Sequence, residues 1–167
     1  MKKKQSTILA ALCTIIVLVA LDQISKVWIV NRFMLHERLE IIPGFFDLTY
    51  LENTGAGFSI FEGYGKVFFG ILTIVALVFI VRMFWESKSK FVDGMLAIIV
   101  AGAIGNFIDR MWLGYVRDFL SFHIFGWDFP VFNVADICIS LGFGLLLIYY
   151  LLQEYQEKQK WKKSNLL

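Results

Sequence analysis

Two carboxylates stand out, because each sits where a charge is expensive. Asp118 lies in "GYVRDFL" and Asp136 in "NVADICISLGFG", both among apolar neighbours. Ionisable groups at the edge of a membrane usually face a cavity or a partner. Two carboxylates brought together in a low-dielectric site cannot both ionise easily, so they share a proton. One then serves as a base that activates water and the other as an acid that polarises a carbonyl. Such a pair hydrolyses an amide without a metal or a nucleophilic side chain. The plainer reading is two separate acids that cap helices or pair with basic residues, and spacing alone leaves both open.

Other polar residues recur in apolar surroundings. Asp22 and Lys26, in "LDQISK", are four apart and pair on one helix face. This reads either as a structural pair with Lys26 snorkelling outward, or as support for a nearby site. Asn106, Asp109 and Arg110, in "AGAIGNFIDRMW", share a helix face. Arg110 beside Asp109 favours the ionised acid, which suits a positioning role. Gly102 and Gly105 let a neighbouring helix approach closely.

Several other chemistries are disfavoured. The sequence has no HExxH and only His36 and His123, so no zinc site is expected. There is no GxSxG, and "SKSK" lies in a short basic loop. "GAGF" and "GYG" lack the Lys and Ser or Thr of a phosphate loop. Cys13 and Cys138 lie in apolar runs and read as packing residues, not a disulfide. No cofactor is called for.

Four elements must position these residues. The chain is 58% hydrophobic, well above a typical soluble domain, and its net charge of +2 with no basic stripe argues against a nucleic-acid partner. Runs at about 7–30, 66–85, 93–112 and 134–153 reach the roughly 20 apolar residues that a span requires. The first follows "MKKK", but "VLVALDQ" is a poor cleavage site, so a retained anchor is expected. "LAALC" is no lipid-attachment site, since bulky Leu12 precedes Cys13.

Lys2, Lys3, Lys4, Arg82, Lys88, Lys90, Lys158, Lys160, Lys162 and Lys163 fall on one side, which the positive-inside rule makes cytoplasmic. Both termini are then inside, and 31–65 and 113–133 lie outside. Trp28, Trp112 and Trp127 mark the outer boundary, and Trp85 and Trp161 the inner one. The first outer segment, rich in turn residues, reads as short strands, and "FGWDFP" as the turn of a hairpin. That fold-back would bring Asp118 and Asp136 together. The whole, 1–167, is read as a single membrane domain, mainly α, whose four transmembrane helices carry a small β-rich extracytoplasmic cradle. Residues 154–167 form a polar cytoplasmic tail that extends the last helix.

Taken in order, "LDQISK", "ENTGAGFSIF", "AGAIGNFIDRMWLGYVRDF" and "VFNVADICISLG" resemble the bacterial lipoprotein signal peptidases (signal peptidase II) over roughly residues 18–145. The resemblance implies an intramembrane aspartic endopeptidase of the bacterial inner membrane, with its active site near the outer face. It implies cleavage of prolipoproteins just before a diacylglyceryl-modified cysteine, with membrane lipids as surroundings. Asp118 and Asp136 would be catalytic. Asn53, Gly55, Asn106, Arg110 and Asn133 match polar and turn positions around the family's site. Asp22 and Lys26 match its first-helix motif, and Asp109 a further characteristic position.

This sequence departs from the family pattern at Arg117, Gly57, Ile137 and Cys138. Strand alternation should point Arg117 away from Asp118. The glycines of "ENTGAGFSIF" suit a lid over the peptide, and a coupled pair predicts bell-shaped activity in pH. The competing readings are a small proton-coupled transporter, using its acids as a relay, and a non-enzymatic membrane scaffold. Oligomeric state is left open.

Overall fold

The chain folds as a mainly helical membrane protein with a small antiparallel sheet at one end. The computed structural model describes residues 4–55 and 65–164. The elements in order are α1 (Gln5–Val30), β1 (Arg38–Ile42), β2 (Phe46–Asn53), α2 (Gly65–Glu86), α3 (Lys90–Trp112), β3 (Val116–Ile124), β4 (Trp127–Asp128) and α4 (Val134–Ser164). All four helices are long and apolar enough to cross a membrane. Each is apolar around its circumference, as a helix bathed in lipid must be. Leu9, Ile16, Ile71, Phe79, Leu147 and Leu151 are among the large side chains turned outward.

The interior holds polar groups beside its apolar clusters. Asp22, Lys26, Asn106, Asp109, Asp118 and Asn133 are all buried. With no water in the bilayer core, each of these must find its partner inside the protein. The third helix is the axis of the bundle, packing against α1, α2 and α4. It starts from a Ser89 cap, whose side chain accepts from the Val92 N–H. It ends where Gly114, at φ +89°, turns the chain into β3. Close approach rests on Gly102 and Gly105, as the sequence suggests. A Cβ on Gly102 would run into the Ala135 carbonyl of α4, and one on Gly105 would lie 2.5 Å from an Asp22 oxygen on α1.

The sheet runs β1-β2-β3-β4, antiparallel throughout. The expected hairpin forms, with Phe125 and Gly126 at its tip, both at positive φ. A two-residue turn of that hand matches the right-handed twist of its strands. After β4 the chain returns along β3, with Phe132 paired to Leu120, and delivers Asn133 to the start of α4. A small core of Ile29, Phe33, Tyr50 and Phe119 fixes the sheet to the end of α1. The polar tail remains helical to Ser164. Most of the "ENTGAGFSIF" lid segment, from Ala56 on, lies outside the described residues.

Candidate active site

Asp118 comes from the buried start of β3, opposite Leu51 of β2. Alternation puts its side chain and that of Val116 into a cavity of about 610 Å³. Asp136 enters the same cavity from the first turn of α4. The fold-back that the sequence requires is therefore present.

Asn133 holds the two acids in register. It is fully buried. Its Nδ2 donates to Asp118 Oδ1 at 2.6 Å and to Asn106 Oδ1 at 3.2 Å. Its Oδ1 accepts from the Asp136 N–H at 3.1 Å, and its own N–H donates to Asp136 Oδ2 at 3.2 Å. The last two bonds form a reciprocal capping box at the start of α4, with Asn as the cap and Asp in place of Glu. Asp136 is thus a helix-capping residue, in part the plainer role, and also a wall of the cavity.

Each acid has a second amide partner. Asn53 Nδ2 donates to Asp118 Oδ2 at 2.8 Å, and Asn106 Nδ2 to Asp136 Oδ1 at 2.7 Å. Asn53 also turns the chain, its Oδ1 accepting from the Gly55 N–H. Burial pushes the Asp118 carboxyl up to about 7, and the Asp136 charge adds to this, against the opposing pull of the Asn53 and Asn133 donors. Arg110 lines the cavity as well, donating to the Gly55 carbonyl at 3.0 Å and lying over the Phe69 ring. Its Nε is buried without a partner among the described residues.

A second space, of about 310 Å³, shares Asn106, Arg110 and Asp136 and continues between α2, α3 and α4 along Leu72, Ala76, Ile139 and Phe143. The polar site therefore opens sideways onto an apolar slot between helices. Such a pair of carboxylates, with a route for an apolar chain, is equipped to hydrolyse a bond presented from within a membrane.

A buried ionic network supports the site from the other side of α3. Lys26 Nζ lies 2.9 Å from Asp22, 3.0 Å from Asn106 Oδ1 and 3.5 Å from Asp109. It is fully buried, so the expected snorkelling does not occur: three inward acceptors hold the ammonium more effectively than the interface would. Asp22 also accepts from the Ala135 N–H at 2.9 Å, tying α1 to the start of α4. The partner of Asp109 is not Arg110, as adjacency suggests. Arg110 turns to the cavity, while Asp109 turns to Lys26 and to Arg117, whose Nη2 lies 2.7 Å away. Arg117 does point away from Asp118. It donates to Asp109 from its backbone and side chain, and to Gln23 at 3.0 Å. Burial works against the Arg117 charge, but its bonds to Asp109 outweigh this and hold its pKa above the ordinary value.

Two members of this network escape a reading by residue type. Gln23, which also bonds Asp109, shows only as part of "LDQISK". Arg117 looks like a departure until its partner is seen.

The model of the signal peptidase (SPase) II family matches residues 14–152. The chain belongs to the signal peptidase II family. Lipoprotein signal peptidases of Symbiobacterium thermophilum and Syntrophotalea carbinolica are 42% and 43% identical to it, over 83% and 89% of this chain and 92% and 93% of theirs. That of Enterococcus faecalis is 43% identical over 89% of this chain and 91% of its own. The fold also matches a solved bacterial membrane enzyme with a TM-score of 0.81, at 35% identity, over 89% of this chain and 91% of that one. The family makes this protein a multi-pass membrane peptidase.

Proposed function

We propose that this protein removes the signal peptide from diacylglyceryl-modified prolipoproteins, cutting before the lipidated cysteine with Asp118 and Asp136 as an acid–base pair. The observation that carries the reading is the shared cavity: a buried carboxylate, Asp118, and a half-buried one, Asp136, bridged by Asn133, face one space that opens between helices. One carboxylate, ionised, takes a proton from water as the oxygen attacks the scissile carbonyl. The other, protonated, donates to the carbonyl oxygen. The tetrahedral intermediate collapses when a proton reaches the leaving nitrogen, the C–N bond breaks, and the pair again holds one proton.

The charges around the site support a single proton. Asp22 and Asp109 are offset by Lys26 and Arg117, all four buried together. Arg110 is then the cation left to face Asp118 and Asp136, and one shared proton makes the set neutral. Lysine and arginine placement supports cytoplasmic termini and a site at the outer face of the inner membrane. Asp22, Asp109, Asp118 and Asp136 gather at the sheet end of the bundle and Asp93 sits at the far end of α3, with no acid midway along the described helices to pass a proton between them, whereas a relay needs acids spaced across the membrane.

Cleavage of a diacylglyceryl-modified prolipoprotein, read as a size shift, tests this. Asp118→Asn and Asp136→Asn should abolish cleavage while the protein still melts cooperatively. Normal cleavage by either variant would sink the assignment.

A further inference from the structure

Away from the ionic network, a titratable cluster on the sheet is left unused by this chemistry. His123, on β3, lies between two carboxylates. Its Nε2 is 2.8 Å from Asp47 Oδ2 on β2, and its Nδ1 is 2.6 Å from Asp128 Oδ1 on β4. A neutral imidazole carries one N–H and bonds one of these acids; an imidazolium carries two and bonds both. The other groups around the ring are Arg38 of β1, 3.3 Å from Asp47, and Glu40, the cross-strand partner of Asp47, whose carboxylate accepts from the Gly44 N–H. The bonds to Asp47 and then Asp128 raise the His123 pKa above the ordinary value.

What the cluster holds matters for the site. The fourth strand is two residues long, paired to β3 at His123–Asp128 and Ile124–Trp127. The next residues, Phe129 to Phe132, form a wall of the cavity that contains Asp118 and Asp136. The far end of this wall is tied firmly to β3, Phe132 exchanging bonds with Leu120 and accepting from the Phe119 N–H, whereas the near end has the Phe129 N–H to the Phe122 carbonyl at 2.9 Å, and Pro130 between them has no N–H to offer.

We propose that His123 is a positioning residue for the cavity: as an imidazolium it ties β4 to β2 and so holds in place the Phe129 end of the Phe129–Phe132 wall, next to β4. This rests on the reading of that cavity as the peptidase site. Of the two acids, Asp128 is solvent-exposed and Asp47 buried, so loss of the ring proton frees Asp128 and loosens the wall. The sign follows from the raised pKa. The tie is complete below the ordinary histidine value, near 6.5, and is lost as pH rises through the folded value.

The chain has only two histidines, so imidazole NMR in detergent resolves His123, assigned by His123→Gln. Its titration midpoint should lie above the ordinary histidine value near 6.5 and fall in Asp128→Asn. Wild-type KM for a lipidated peptide should rise up to about five-fold across that midpoint, the scale of one exposed ion pair. His123→Gln should show the raised KM at every pH, with kcat close to wild type. An imidazole that titrates while KM stays flat, or a His123→Gln loss confined to kcat, overturns the proposal and leaves the peptidase reading standing. No cleavage by wild type overturns both, and the NMR titration still reports the tie.

Discussion

Asn133→Ala is the perturbation for which the structure gives the fullest expectation. The side chain makes three bonds: to Asp118, to Asn106, and from the Asp136 N–H. Losing an Asn cap costs about 1 kcal/mol. Losing a buried bond to a charged group costs about 1.5–3 kcal/mol. The variant should therefore be about 2.5–4 kcal/mol less stable. The Asp118 bond favours the ionised form, so its loss raises the Asp118 pKa by about 1–2 pH units, at 1.36 kcal/mol per unit. The acidic limb of the activity profile should move up by that amount, while a structural defect alone would lower the whole profile without moving it. Asn133→Ser separates the two effects. Serine caps a helix as well as asparagine does, but it is too short to reach Asp118. It should recover about 1 kcal/mol of stability and keep the shifted limb. The assay is cleavage of a lipidated peptide from pH 4 to 10, with thermal melting alongside. A wild-type limb in Asn133→Ala would refute the view that Asn133 couples the two acids.

The remaining expectations concern stability. Gly105→Ala should cost about 1–3 kcal/mol, the scale of overpacking, because its Cβ meets Asp22 at 2.5 Å; Gly94→Ala, with nothing within 4 Å, should be neutral or gain up to about 1 kcal/mol. Paired melts of the two variants check this. Asp118→Asn should be more stable relative to wild type at pH 9 than at pH 5. The folded Asp118 pKa, about 7, lies above its ordinary 3.8, so the folded state binds the proton more tightly and wild type loses stability as pH rises through that window. The whole window is worth about 4 kcal/mol, of which about 2.7 kcal/mol falls between pH 5 and pH 9; a pH-independent difference between the melts would contradict it.

The spans and strands were legible because they are local. Long apolar runs outline the four helices, and turn residues such as Gly126 outline the hairpin. The residues that the structure gathers around the cavity could be named as candidates from the sequence, but their wiring could not. Residue type and spacing left Asp118 and Asp136 as candidates only, and the remaining positions came from resemblance to a family. The missing part is the set of partners, which lie far apart in sequence. The Asn133–Asp118 bond spans 15 positions, Lys26–Asn106 spans 80 and Ala135–Asp22 spans 113. A lone lysine near a helix end reads as snorkelling because its acceptors sit on α1 and α3 together. Arg117 shows the same limit: strand alternation gives its direction, but nothing local names Asp109 as its target.

The bundle also explains why charge is tolerated where lipid surrounds it. Three elements meet at Lys26 and Asp109: α1, α3 and the start of β3. Removing any one charge would strand another in a low dielectric, a loss of about 3–5 kcal/mol for a buried pair. The network therefore fixes the angle between helices and sheet more firmly than apolar packing does, since lipid competes equally for apolar contact. Asn106 is where that rigidity reaches the cavity. Its Oδ1 takes the Lys26 and Asn133 donors on one side, and its Nδ2 holds Asp136 on the other. With Oδ1 occupied by donors, the amide cannot flip without placing its NH2 against the Lys26 ammonium. Asp136 is thus held by a donor whose orientation is set by a charge on another helix, and Lys26 acts on the site without touching it.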